Sequence, residues 1–423
     1  MILVVEKMIF PGKSLAKGED GRVVLWEGGL PGDQCEVEIL KDKGRFLEAT
    51  LVRIVTPSPL REPSVCVYSD TCGGCQWLEA PYADQVEWKK SFVEDSLRRI
   101  GKITALPPVQ FVASPEPLLY RNRILLRGHV DAAGQIQVGF FASNSHALVP
   151  ISRCQVASEP INELVATLAK MRLPSGNKKF RCQIQEVAGE SGPALLVLLE
   201  PIEKPYTWTL PLRAQVAAHP RVAWVGMQGE KPPFFVFEKL NTATTFTLPG
   251  IFQQINTKQN LTLRAQIWDH VQQKKPRSLL DLYCGAGNLS LQFAETGIEV
   301  TGVEFNADSI RAAMHTVAVH GWPKMTYVAQ DATRYLQRQV QQSARFEYLI
   351  VDPPRSGMKE LIPFLLQLRI PSLAYVSCNP ATLARDLGQL LEIYETESVI
   401  AFDFFPHTYH VETLVLLSLR KSM

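Results

Sequence analysis

The sequence predicts an α/β protein in three parts: a small β-barrel first, a mostly β segment carrying a cysteine cluster next, and a doubly wound parallel sheet last. Three observations carry this. From about residue 250, strand-like runs ending in turns alternate with helical ones, as in "SLLDLYCG", "IEVTGVEF", "FEYLIVDPP" and "LAYVSCNP". Residues 1–56 consist of short alternating runs broken by turns. Between them, "CVYSDTCGGC" brings Cys66, Cys72 and Cys75 together, three thiols in want of a fourth.

A chain of 423 residues has room for two or three cores. With 46% hydrophobic and 20% charged residues it is expected to fold throughout. A net charge of +2 neither demands nor excludes a nucleic-acid partner, since phosphate binding depends on local basic patches. No apolar run approaches the roughly 20 residues that span a bilayer. Glu6 and Lys7 interrupt the apolar start "MILVVEKMIF", so a signal peptide is not expected. The expectation is a cytoplasmic protein with no membrane partner, whose thiols stay reduced.

The elements follow in order. "GRVVLWEG", "CEVEIL" and "FLEATLVRIV" are strands, ended by "TPSPLREP". A small barrel is one common nucleic-acid surface; any other small β-domain is equally compatible. "PYADQVEWKKSFVEDSLRRIG" has apolar residues at helical spacing and a closing glycine, which predicts a helix at about 81–101. From about 108 to 245 the runs are strand-like ("QIQVGFF", "RCQIQEV", "ALLVLLE"), with a loop at "IEKPYTWTLP". Cys35 and Cys182 lie in strands and are expected to be small buried hydrophobes.

In "LLDLYCGAGNLSL" a strand enters a turn at Gly285 and Gly287, with a helix expected after it. This pattern serves many cofactors. Ser290 replaces the third glycine of a dinucleotide fingerprint, and Asp281 before the turn would repel phosphate but suit an ammonium group. Glu304 ends the next strand, at the offset from which a carboxylate reaches ribose hydroxyls. Asp331 ends another and is placed to face an adenine amino group. A glycine turn, acids at successive strand ends and no phosphate-binding lysine fit S-adenosylmethionine better than a dinucleotide.

Asp352 in "VDPPRSGM" stands at a strand end, where doubly wound folds bind ligands. Cys378 in "YVSCNPATLARDL" stands at the next one. A nearby helix N-terminus predicts a lowered thiol pKa and a nucleophile, against the alternative of an inert buried cysteine. In "DFFPHTYHVETLVLL", Glu412 at the mouth of the last strand is placed to take a proton. His407 and His410 beside it have no common metal spacing and are expected to be structural.

These residues resemble the RNA uracil-5-methyltransferase family over nearly the whole chain. "FQQIN", "DLYCGAGN", "VDPPRSG", "VSCNP" and "FPHTYHVE" occur in its order, with "YRNR" and "GFFASNSHALVPISRC" matching its insert domain. The resemblance implies a Rossmann-like class I methyltransferase domain at 249–423, a central RNA-binding domain at 57–248 and a TRAM-like (OB-like) barrel at 1–56. It also implies a chemistry: Cys378 adds to uracil C6, which makes C5 nucleophilic toward the methyl of S-adenosylmethionine, and Glu412 removes the C5 proton. Gln254, Tyr283, Asn288, Glu304, Asp331 and Asp352 match positions lining the donor and base pocket. Cys154 falls where the family's cluster-bearing branch has its fourth cysteine. Four thiolates suit either a [4Fe-4S] cluster or zinc; the resemblance favours iron–sulfur. The implied partner is RNA, 23S ribosomal RNA ahead of transfer RNA, acted on by a monomer. Lys89, Lys90, Arg121, Arg123, Lys178, Lys179 and Arg181 are candidate RNA contacts, and Phe141 and His146 candidate stacking residues. The rival class, a non-catalytic RNA-folding factor, is disfavoured by intact Cys378 and Glu412. A zinc oxidoreductase is disfavoured by Ser290 and Asp281.

Overall fold

A computed structural model describes residues 1–173, 178–202, 204, 208–240 and 243–421. Strands β1 (Ile2–Val4), β2 (Lys7–Ile9), β3 (Lys13–Lys17), β4 (Val23–Glu27), β5 (Gln34–Asp42) and β6 (Phe46–Thr56) form one sheet in the order β1-β5-β6-β4-β3-β2. β1 and β2 lie at opposite edges of that order, yet only Val5 and Glu6 join them. Two residues reach about 7 Å, whereas the edges of a flat six-stranded sheet lie about 24 Å apart. The sheet therefore curls until its edges meet, around Val5, Met8, Val24, Trp26 and the buried Cys35.

Helix α1 (Tyr82–Arg99) forms as expected and packs against the last part of the chain. After β7 (Val109–Val112) come β8 (Arg123–Val130), β9 (Ile136–Phe141), β10 (Leu148–Pro150), α2 (Glu159–Leu168), β11 (Lys178–Gly189), β12 (Gly192–Pro201), α3 (Thr209–Ala217) and β13 (Val222–Met227). Their sheet runs β10-β9-β8-β11-β12-β13, with Leu126, Cys182, Leu195 and the apolar side of α2 in its core. The strand-like reading of 108–245 missed both helices. For α2 the signal was present: Pro160 in the first turn, then Ile161, Leu164, Val165 and Leu168 at helical spacing. In the expected loop at 202–211, residues 203 and 205–207 lie outside the described residues.

β14 (Phe235–Leu240) and β15 (Ala243–Thr247) form a hairpin. Then follow α4 (Thr257–Lys274), β16 (Ser278–Leu282), β17 (Glu299–Glu304), α5 (Ala307–His320), β18 (Met325–Ala329), α6 (Ala332–Gln341), β19 (Tyr348–Val351), α7 (Ile362–Leu368), β20 (Ser372–Ser377), α8 (Pro380–Leu390), β21 (Tyr394–Phe402) and β22 (Glu412–Leu419). The sheet order is β18-β17-β16-β19-β20-β22-β21-β7. The first five strands are parallel, and apolar runs such as "YLIV" in β19 are buried on both faces. Its last strand, β7, is drawn from far upstream, and α1 packs on α8 beside it. The helix expected after the glycine turn is only a 3-10 turn at Leu291–Phe293. Among the described residues no helix is long and apolar enough to cross a membrane.

Candidate active site

Four neighbouring strands bring their chemistry to one end of the sheet. Asp281 lies in β16, and Asp352 directly follows β19. Cys378 follows β20, and Glu412 opens the antiparallel β22. Ser377 pairs with Thr413 as the last pair of the two strands, and Cys378 and Glu412 each stand one residue beyond it at the same end. Switch-point geometry of this kind is where doubly wound sheets bind ligands.

Cys378 is partly buried rather than sealed in the core. Asn379 caps α8 just after it, accepting hydrogen bonds from the Ala381 and Thr382 backbone N–H groups. The lowered pKa expected from that helix end does not hold. Burial, with the Glu412 and Asp352 carboxylates beside it, pushes the thiol up to about 12, and the Arg355 guanidinium only partly opposes them. Glu412 is 4% exposed and its Oε1 has no partner; burial first, and Asp352 second, hold its pKa far above the usual carboxylate range. Burial likewise raises Asp352 to about 7. In the free protein Cys378 and Glu412 thus keep their protons at neutral pH.

A narrow pocket of about 30 Å³ lies next to these groups, lined by Phe252, Gln254, Asp281, Tyr283, Asn288 and Asp352 among others. Tyr283 adopts the left-handed conformation (φ 62°), which bends the chain away from the strand into the Gly285–Gly287 turn. A Cβ on Gly287 would lie 2.7 Å from Leu291 and 2.9 Å from the Tyr327 hydroxyl, so only glycine fits. Ser290, at the third-glycine position, is fully buried and hydrogen-bonded to Tyr327. Asp281 is completely buried with no cation beside its carboxylate among the described residues; burial raises it to about 8, and only the neighbouring Ser290 hydroxyl opposes that. A carboxylate so placed costs several kcal/mol unless a cation or proton joins it. That orphaned acid and the glycine turn fit the ammonium-bearing end of S-adenosylmethionine.

The other expected pocket residues divide. Asn288 spends its amide on a reciprocal pair with Asn260 on α4. Glu304 accepts from the Gly285 and Asn306 N–H groups, bracing the turn. Asp331 caps α6 through the Arg334 N–H, and lines a separate hollow of about 490 Å³ beside the exposed Phe305.

Cys66, Cys72, Cys75 and Cys154 line one cavity of about 110 Å³, together with Arg121. Among the described residues no three His, Cys, Asp or Glu side chains are grouped closely enough to hold a metal ion as they stand. Burial raises Cys72 and Cys154, and Cys75 to about 12.

The basic candidates also divide. Lys89 is no RNA contact: it is fully buried, 2.5 Å from the equally buried Asp403. Arg121 faces the thiol cavity, and Arg123 lies over the ring of Phe252, 5.4 Å away. Sequence reasoning missed Arg355, which lies inside the motif "VDPPRSG" and reaches His410 at 3.4 Å. Burial, then Arg355, pushes His410 down to about 3, so it stays neutral.

A doubly wound sheet with a cysteine and carboxylates at the strand ends beside a glycine turn defines a group-transfer enzyme of the methyltransferase class. The signature of the tRNA (Uracil-5-)-methyltransferase family matches residues 242–420. The chain is 30% identical to the 23S rRNA (uracil(1939)-C(5))-methyltransferase RlmD of Shewanella sp. (strain MR-4), over 95% of this chain and 92% of that one. It is also 30% identical to an uncharacterised RNA methyltransferase of Thermosynechococcus vestitus, covering 98% and 97%. The fold matches that of a Pyrococcus abyssi tRNA (uracil-54, C5)-methyltransferase in complex with S-adenosyl-L-homocysteine: TM-score 0.72, 24% identity, 99% of this chain and 100% of that one. The chain belongs to the RNA uracil-5-methyltransferase family.

Proposed function

We propose that this S-adenosylmethionine-dependent enzyme methylates C5 of a uridine in 23S ribosomal RNA through a temporary bond between Cys378 and C6 of the base. The observation that carries it is that Cys378 and Glu412 each lie one residue beyond the Ser377–Thr413 pair, with the Glu412 carboxylate near enough to raise the Cys378 thiol. C5 of uracil is too poor a nucleophile to be alkylated directly. Addition of the Cys378 sulfur to C6 moves the ring electrons onto C5 and O4 and makes C5 reactive. S-adenosylmethionine supplies a methyl group on a positively charged sulfur. Once C5 carries that methyl, Glu412 takes the C5 proton, the C5–C6 double bond re-forms and the Cys378 sulfur leaves. Asp281, buried without a cation beside it, would hold the donor's ammonium group, with Gly285 and Gly287 around its amino-acid end. The uridine must leave its stack to reach Cys378, at a cost of a few kcal/mol that is smallest in a loop.

RNA would approach along the outer face of the central sheet. There Arg127 stands opposite Arg181, and Lys179 opposite His129. Arg127 and Lys179, with Arg181 already paired to Glu200, would supply positive charge for phosphate. Arg127 lies 4.9 Å from the ring of Phe141, which meets His146 edge-on at 5.2 Å. Phe252, 61% exposed beneath Arg123, extends this basic and aromatic track to the donor pocket. The barrel of residues 1–56 would act as a TRAM-type RNA-binding module.

Cys66, Cys72, Cys75 and Cys154 would hold a [4Fe-4S] cluster. Four thiols around a space of about 110 Å³, rather than converging on one point, suit a cluster of several metals better than zinc with its roughly 2.3 Å bonds. Metal binding would strip the raised thiols of their protons. A cluster of this kind supplies a rigid cross-link here, between the 66–75 segment and Cys154. Work in the reducing cytoplasm agrees with free thiols.

The test is methyl transfer in vitro to 23S ribosomal RNA fragments and to transfer RNA. Incorporation at one uridine of a 23S fragment, with transfer RNA left unlabelled, is expected. The reverse selectivity would overturn the substrate assignment.

A further inference from the structure

The loop between β21 and β22, residues 403–411, connects Phe402 to its pairing partner Glu412 and carries His410 beside Arg355. Its own sequence does not fix its shape. His407 sits in the left-handed region at φ 64°, a conformation that a non-glycine residue keeps only when its surroundings insist.

Those surroundings come from far upstream. Gln85 on α1, completely buried, accepts the His407 backbone N–H at 2.9 Å through Oε1. Its Nε2 donates to the Trp77 and Ala80 carbonyls at 3.0 and 2.9 Å and lies 3.2 Å from His407 Nδ1. The Gln76 and Trp77 N–H groups both donate to the His407 carbonyl, at 2.9 and 3.1 Å. One turn along α1, Lys89 donates to Asp403 and to the Phe405 carbonyl. The Tyr120 hydroxyl donates to the Pro406 carbonyl. The loop is therefore gripped by α1 and by the segment that begins at Cys75. Cys378 stands outside this grip, held by the β20 pairing and the Asn379 cap.

We infer that Gln85 is a positioning residue for the Glu412 side of the reaction: by bonding His407 and the 77–80 turn together it fixes the loop from which Glu412 emerges. Its loss should slow release of the methylated base from Cys378 and spare formation of that bond. This inference rests on the covalent chemistry proposed above, so the test carries Glu412→Gln alongside.

Full-length Gln85→Met, close to isosteric but unable to hydrogen-bond, and Gln85→Glu, which keeps the acceptor for His407 N–H, are compared with the unaltered enzyme on the same RNA. Protein–RNA adduct is quantified on denaturing gels during turnover. Gln85→Met is expected to accumulate at least about fivefold more adduct, with kcat lowered about tenfold and KM for RNA within about twofold. Gln85→Glu should accumulate less than Gln85→Met, and it decides the matter if Gln85→Met fails to fold. Should Glu412→Gln trap adduct while both Gln85 variants turn over without accumulation, the positioning role is overturned and the covalent chemistry stands. Loss of RNA affinity and adduct formation in equal measure would mark Gln85 as merely structural and also overturn it. No adduct even in Glu412→Gln would remove both.

Discussion

Cys378 and Glu412 lie at the same end of the β20–β22 ladder, each one residue beyond its last pair, Ser377 with Thr413. The proposed nucleophile and proton acceptor are thus brought together by the end of that ladder. Burial and the Glu412 carboxylate raise the Cys378 thiol, and burial and Asp352 raise Glu412, so neither is charged cheaply until positive charge arrives.

Removing either group should therefore stop different steps. Cys378→Ala is expected to abolish methyl transfer while leaving RNA binding within about twofold. Glu412→Gln should form the bond to C6, accept the methyl and then stall, lowering kcat by at least about a hundredfold. A slow-migrating protein–RNA band on a denaturing gel checks this; its absence in Glu412→Gln would count against the proton-acceptor role.

With the Cys378 thiol raised to about 12, its thiolate fraction in the free enzyme at pH 7 is on the order of 10⁻⁵. Alkylation of Cys378, followed by peptide mass mapping, should accelerate about tenfold per pH unit between 7 and 10. At fixed pH, S-adenosylmethionine with its positive sulfur should speed it more than neutral S-adenosylhomocysteine. A profile already flat at pH 7 would mean an activated thiol in the free protein.

Asp281 is kept neutral by burial, with a pKa of about 8. An acid whose folded pKa exceeds its unfolded one loses stability for the fold as pH rises between the two values. Asp281→Asn removes that loss. The variant should melt a few degrees above the parent at pH 7.5, by a gap that shrinks toward pH 4, and bind S-adenosylmethionine at least about tenfold more weakly. Equal binding would displace Asp281 from the donor site.

Lys89 and Asp403 form an ion pair fully removed from solvent. Lys89→Met leaves Asp403 buried and unpaired, and denaturant unfolding should show a loss of about 3–5 kcal/mol. A change under about 1 kcal/mol would contradict a pair that stabilises the fold from inside it.

Anaerobically purified protein should contain iron and acid-labile sulfide, and zinc without iron would contradict the cluster. Because Gln76 and Trp77 follow Cys75 directly and bond His407, oxidative stripping of the metal should also raise adduct accumulation by about the factor seen for Gln85→Met. Unchanged accumulation after stripping would show that the grip on the loop holds without metal.

The strand ends were legible because each motif joins an apolar run to a turn, and the doubly wound topology then forces Asp281, Asp352 and Cys378 to one edge of the sheet. The pKa of Cys378 was not. A helix N-terminus is visible in "CNPATL", but the burial and the opposing carboxylates come from residues 352 and 412. Lys89 read as a surface charge on an amphipathic helix, and only the fold puts Asp403 against it. The grip on His407 was beyond reach for the same reason, since Gln85 finds its partner 322 residues away. Cys154 was found only through a family's spacing, and the cavity it shares with the other three thiols is a property of the folded central segment.

The most direct measurement uses RNA carrying 5-fluorouridine at the target position, incubated with the enzyme and S-adenosylmethionine. Fluorine cannot leave C5 as a cation, so methylated base should remain attached and mass spectrometry should find it on the peptide containing Cys378 alone. Methylation without attachment, or attachment to any other residue, would contradict a reaction that runs through the sulfur of Cys378.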